Sequence, residues 1–186
     1  MKIQHTLAAT SLFLGLSLSA GEWGILPVLD DDYKAEHGYA LMVGYQDPNI
    51  DNVDGALAYG VEASLNCPLL KVPMNYIRQK ISISYSDNDD LTLTSIEINP
   101  YYRMPIVTDL EVGVGPSLGA TIAKANGESV TKFGYGLGAD IEYDMGGMFL
   151  AFEARYQLTS EADFGNDATT ELDNLRAMAK IGYKFK

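Results

Sequence analysis

The chain has 186 residues, 47% apolar and 20% charged, with 18 Gly and 12 Tyr; it is about one domain long and too apolar and aromatic to stay disordered. Its net charge of −12, from 13 basic and 25 acidic residues, argues against nucleic acid as a partner. One cysteine, Cys67, excludes an internal disulfide, so stability has to come from the fold itself.

Residues 1–20 read as a secretory signal: Lys2, an apolar run from Leu7 to Leu18, then the small residues Ser19, Ala20 and Gly21. The run is too short for a bilayer, which takes about 20 residues. No cysteine follows the cleavage region, so a lipoprotein anchor is not expected. Residues 21–37, with Trp23, Pro27 and the acidic run Asp30, Asp31, Asp32, form a periplasmic segment in which Trp23 suits a membrane interface.

Residues 38–186 alternate with period 2, the mark of strands rather than helices. In chain order, Leu41, Val43 and Tyr45 oppose Ala40, Met42 and Gly44; Leu57, Tyr59, Val61, Ala63 and Leu65 oppose Ala58, Gly60, Glu62 and Ser64. Next, Ile77, Ile81, Ile83 and Tyr85 face away from Arg78, Lys80, Ser82 and Ser84, and Ile96, Ile98, Pro100 and Tyr102 away from Glu97, Asn99 and Arg103. Here Gln79 falls on the apolar face and Tyr101 on the polar one. Four clearer strands follow: Leu110 to Ile122, Phe133 to Tyr143, Met148 to Leu158 and Leu175 to Phe185. Consecutive strands with short connections predict an all-β, eight-stranded antiparallel up-and-down barrel.

The polar faces decide which way such a barrel turns. A soluble exterior would carry many long charged side chains, whereas here Gly, Ser, Thr and Ala dominate, suited to a cramped lumen. The apolar faces carry Tyr or Phe near strand ends, as membrane girdles do. The expected arrangement is therefore a transmembrane barrel, polar inside and apolar outside. From a periplasmic N-terminus, the external loops fall at 47–55, 86–90, 124–131 and 159–173, and the periplasmic turns at 67–76, 105–109 and 144–147. The connection at 67–76 is long for a periplasmic turn.

This pattern resembles the superfamily of small eight-stranded bacterial outer-membrane barrels, the group containing the OmpA transmembrane domain and the OmpX and OmpW proteins. The terminal Ile181-Gly-Tyr183-Lys-Phe185-Lys186 resembles their closing strand, with the aromatic one residue early. The resemblance implies outer-membrane localisation, insertion by the barrel-assembly machinery with Tyr183 and Phe185 as the signal, and contact with outer-membrane lipid and lipopolysaccharide. No peptidoglycan-binding domain follows in this sequence.

Six acids, Glu62, Glu97, Glu111, Asp140, Glu142 and Glu153, and six bases, Arg78, Lys80, Arg103, Arg155, Arg176 and Lys180, are assigned to the lumen. Buried charges need partners, so the expectation is a paired network that fills the interior, with a narrow channel for small solutes or ions as the alternative. The external loops are strongly acidic. Within them Asp47, Asp51 and Asp54 offer alternating oxygen ligands for a divalent cation, without the glycine and late glutamate of a calcium hand. His37 is the only histidine after the signal, and no nucleophile with base and orienting acid is legible around it; catalysis by a lipid-modifying enzyme is the third reading. The string Gly113, Gly115, Gly119 lies within a strand and does not form a dinucleotide fingerprint. A monomer without a cofactor, structural or surface-interacting through its acidic loops, is the leading expectation.

Overall fold

The computed structural model describes residues 23–50, 53–72, 77–88, 91–125, 127–159, 162–163, 169–170 and 173–185. Eight strands close into one antiparallel barrel: β1 (Gly38–Asp47), β2 (Ala56–Asn66), β3 (Ile77–Asp87), β4 (Thr92–Val107), β5 (Leu110–Ala125), β6 (Glu128–Asp144), β7 (Met148–Thr159) and β8 (Asn174–Lys184). Neighbours in sequence pair, and β8 closes on β1 with Leu175 opposite Asp47 and Lys184 opposite Gly38. A row of partners followed from Tyr183 through Tyr39, Ala63, Ile81, Ile98, Leu118 and Tyr135 to Leu158 meets β8 again about ten residues higher, the stagger of a tilted barrel only wide enough for side chains.

The alternation sorts the faces. Inward positions are buried and polar or small, while outward ones such as Leu41, Leu57, Ile98, Leu137 and Phe152 are exposed. Several inward glycines are required by close strand approach: a side chain at Gly44 would strike the backbone of Ala177 and Met178. At the end holding both the N-terminal segment and the close of β8, hereafter the lower end, the β6–β7 turn runs through Gly146 (φ +80°) and Gly147 (φ +111°), and Asp144 Oδ1 accepts from both amides at 2.8 and 3.2 Å.

Three features depart from the sequence reading. The external loop expected at 124–131 is mostly strand: β5 and β6 run on until Ala125 faces Glu128, turning at Gly127 (φ +83°). Alternation persists because Ala123, Ala125 and Val130 share an inward face that packs against Leu91 and Leu93. Likewise the turn expected at 105–109 shortens, since β4 continues to Val107 through an irregularity after Pro105. Finally, the long 67–76 connection has a purpose at its described part: it receives the N-terminal segment. Gly24–Ile25 pairs with Leu70–Lys71, Tyr33 Oη donates to Asn66 O at 2.7 Å, and the Asn66 amide donates to Ala35 O at 2.7 Å. Burial in this contact pushes the Tyr33 phenol above its ordinary value, and Cys67 is buried beneath it. Trp23 is exposed. Residues 1–20, read as an export signal, lie outside the described residues.

Candidate functional site: the lumen

Because every second residue of each strand points inward, the lumen is built from all eight strands and changes character with height. Near the lower mouth Arg103 of β4 donates to Glu142 at 2.6 Å and Asp140 at 3.2 Å, with Glu111 at 3.7 Å. Lys184 of β8 also holds Glu142, at 2.5 Å. Arg78 differs: among the described residues it makes no ion pair, and its guanidinium donates to Ser64 (3.2 and 3.3 Å) and Asn66 (3.2 Å).

At mid-height the charges interlock across the barrel. Lys80 contacts Asp140 and sits 3.7 Å from both Glu62 and Glu153, while Lys180 bridges the same two glutamates at 2.5 and 2.8 Å. Arg155 contacts Glu97 and reaches Glu153 at 2.7 Å; Arg176 contacts Glu97 from the far wall and Ser84 at 2.5 Å. Tyr101, fully buried, lies between the two systems: Lys80 Nζ stands 4.5 Å over its ring, and its hydroxyl accepts from Arg155 at 3.4 Å. Space for these long chains comes from the glycine face of β5 and β6, where Cβ atoms at Gly113, Gly119 and Gly138 would collide with Asp140, Glu97 and Tyr101.

Higher up, charge gives way to neutral groups: Ser86 donates to Gln46 (3.3 Å), Ser95 and Thr121 share a bond of 3.0 Å, and Asn174 donates to Gln157 at 3.1 Å. Above them the upper mouth is apolar, with Leu91, Leu93 and Ala123 buried under Ile50, Val53, Ala125 and Val130.

Of the twelve charged residues assigned to the lumen, eleven are buried and Glu111 stands partly exposed at the lower mouth. The connected ion pairs hold Lys184 where the sequence reading had Arg78. Tyr101 and Asn99 are the other members it did not assign a role, although the phase of Glu97 and Arg103 puts both on the lumen face. Asp47 ends β1 and Asp54 lies in the upper connection that follows it: Asp47 Oδ1 accepts from Asn49 N at 3.0 Å and Asp54 O from Asn88 at 2.6 Å. Asp51 lies outside the described residues, and no cluster able to hold a metal occurs among those described. Phe185 packs edge-on against Tyr183 (4.9 Å) and Tyr39 (6.0 Å), and its amide donates to His37 O at 2.7 Å.

Outside, the apolar belt is bounded by aromatics: Tyr39, Tyr143 and Tyr183 below, Tyr45, the mutually tilted pair Tyr59 and Tyr85 (centroids 5.3 Å apart), Tyr135 and Tyr156 above. A sheet with an apolar outside, a charged inside and no open edge is a solution for lipid, where each backbone group must find its partner within the protein. The fold defines a transmembrane β-barrel. No family model matches the chain, and none of the curated proteins matches it.

Solved structures with the same fold include Neisserial surface protein A (TM-score 0.59, 14% identity, covering 80% of this chain and 96% of that one). A major outer membrane protein from Thermus thermophilus is similar at TM-score 0.53 and 13% identity, covering 82% of this chain and 100% of that one. Ail, the attachment invasion locus protein of Yersinia pestis, follows at TM-score 0.52 and 11% identity, with the same shares covered. These barrels, like this one, are small and eight-stranded.

Proposed function

We propose that the chain is a bacterial outer-membrane protein, monomeric and without catalytic activity, that serves as a structural or surface-interaction barrel with a closed lumen. In this reading the lower end faces the periplasm and the acidic upper connections face outward, toward lipopolysaccharide and the divalent ions bound to it. Tyr183 and Phe185 would then present the closing strand to the barrel-assembly machinery. The observation that carries the closed lumen is the cross-barrel lattice: Glu97 is held by Arg155 and Arg176, and Glu153 by Arg155 and Lys180, so ion pairs from β4, β7 and β8 span the interior. An ion would have to break several of these buried contacts at once to pass. The test is planar-bilayer recording of protein whose folding has been verified by heat-dependent gel mobility. A silent membrane is expected, with and without calcium; discrete, reproducible conductance steps would overturn the closed lumen.

A narrow channel is the second reading. It is favoured by lumen atoms that make no hydrogen bond among the described residues, including Arg155 Nε, Arg176 Nε and Gln157 Nε2, which water could satisfy. The same recordings separate the two.

A further inference from the structure

The eight ladders of the barrel are continuous except one. Between β4 and β5, Ile98 faces Leu118 and Tyr102 faces Val114 in a single register, yet the three rungs between them are missing. That register sets Pro100 opposite Pro116. Proline has no N–H, and two prolines facing each other delete both bonds of one rung, leaving the seam without its backbone tie over that stretch. The only other ladder irregularity, after Pro105, lies on the same seam, and every proline within the barrel strands is in β4 or β5.

Side chains replace the missing tie, and they do so from the lumen. Asn99, in the amide orientation that satisfies both its ends, donates to Ser117 across the gap at 2.8 Å and accepts from both terminal nitrogens of Arg155 at 3.0 and 3.2 Å. Arg155 also holds Tyr101 and Glu97, the inward residues on either side of Asn99. On the lipid side, the register partner of Pro100 on β3 is Gln79, the one polar side chain of that outward face between Ile77 and Tyr85, so a polar group stands one strand away from the gap.

We propose that the barrel wall opens sideways between β4 and β5, joining lumen to bilayer, and that the Arg155 cluster is the latch that holds this seam shut. A continuous ladder distributes opening over many bonds; here one stretch depends on side-chain contacts that a single arginine organises.

The first test places cysteine at the lumen side of the gap, Ser117→Cys, in Cys67→Ser protein folded into phospholipid vesicles and checked by heat-dependent gel mobility. A thiol reagent that partitions into lipid is expected to label it roughly tenfold faster than Ser84→Cys, a buried lumen serine flanked by unbroken ladders. Adding P100L/P116L, which restores both donors, should bring the rate down to that of Ser84→Cys. Equal slow rates at the two sites, or a fast rate at 117 that the leucine pair leaves unchanged, would overturn the opening.

Hydrogen exchange of the unsubstituted chain gives a second readout that needs no cysteine. The amides of Ile98, Tyr102, Val114 and Leu118 should exchange faster than those of Val61 and Ile83, and R155Q should accelerate the first group selectively. Equal exchange in the two groups would overturn the opening, and uniform acceleration by R155Q would overturn the latch.

Discussion

The middle and the upper mouth of the lumen solve the same problem with opposite chemistry. Both lie inside one barrel, on strands with one alternation, and both must fill a space about as wide as two side chains. At mid-height the filling is charge: Lys80, Lys180, Arg155 and Arg176 are desolvated, and carboxylates on several strands, Glu62, Glu97, Asp140 and Glu153, supply their counter-charge. At the upper mouth it is apolar, Leu91 and Leu93 of one hairpin under Ile50 and Val53 of another connection. The difference teaches that the described lumen is filled in two ways, by paired charge and by apolar packing, and that the two fillings fail differently. An ion pair that loses one partner strands a charge, whereas an apolar contact that loses a methyl leaves only a smaller contact.

The largest expected effect therefore belongs to the middle. Arg155→Ala leaves Glu97 and Glu153 short of a counter-charge in the interior and should destabilise the barrel by about 3–5 kcal/mol, read from urea unfolding in detergent or lipid. A loss below about 1 kcal/mol would mean that the mid-lumen is wet enough to solvate the stranded carboxylates. Next comes the mouth: Leu93→Ala removes buried apolar volume at the periphery and should cost about 2 kcal/mol, the low end of such truncations. The contrast sharpens in conductance, because opening the mouth leaves the ion-pair lattice in place. Leu93→Ser alone should stay silent in planar bilayers, and current from that single variant would show that packing, not charge, is the true barrier.

How much of this was legible in the sequence divides along the same line. Period-2 alternation reports direction, so the eight strands, their faces and the inward residues of the middle could be read from side chains alone. Pairing could not. Nothing local distinguishes Arg78, which ends among Ser64 and Asn66, from Arg103, which ends among carboxylates; the difference is which residues the register of the nearby strands brings alongside. The upper mouth escaped for another reason. Residues 124–131 are polar and contain a glycine, the usual signs of a loop, and only the contact of Ala123 and Val130 with Leu93, brought over by register, keeps them as strand. Opposed prolines are likewise invisible until register is known, since each alone fits a strand edge.

A smaller effect tests whether the middle needs its bare wall. At Gly136 of β6 an added methyl would meet the backbone of Tyr156 and Gln157, whereas at Gly127, in the turn beyond the mouth, it would meet nothing. Gly136→Ala should cost about 1–3 kcal/mol through displaced strands. Gly127→Ala should cost less than that, because its penalty is the positive φ alone in a solvated turn, where the chain can readjust. Unfolding midpoints for the pair would rank the two ends directly; a Gly136→Ala protein as stable as the parent would mean that β6 and β7 can move apart without loss.

The smallest effect concerns the acidic connections above the mouth. Calcium stabilises only to the extent that it binds the folded barrel better than the unfolded chain. Asp47 already accepts a backbone amide from Asn49, and Asp54 meets Asn88 through its backbone carbonyl, so calcium would find separate carboxylates rather than a formed cage. Millimolar calcium should therefore raise the melting temperature in lipid-free detergent by no more than about 2 °C, the shift of a few tenths of a kcal/mol in a domain of this size. In lipopolysaccharide-containing bilayers the same ion can bridge loop carboxylates to phosphates, and the rise should be larger. Asp47→Asn and Asp54→Asn together would then remove part of that excess while leaving the detergent value unchanged. A large rise already in detergent, abolished by the same pair, would instead point to a discrete calcium site in the first upper connection, and would tie the apolar mouth beneath it, through Ile50 and Val53, to the ion.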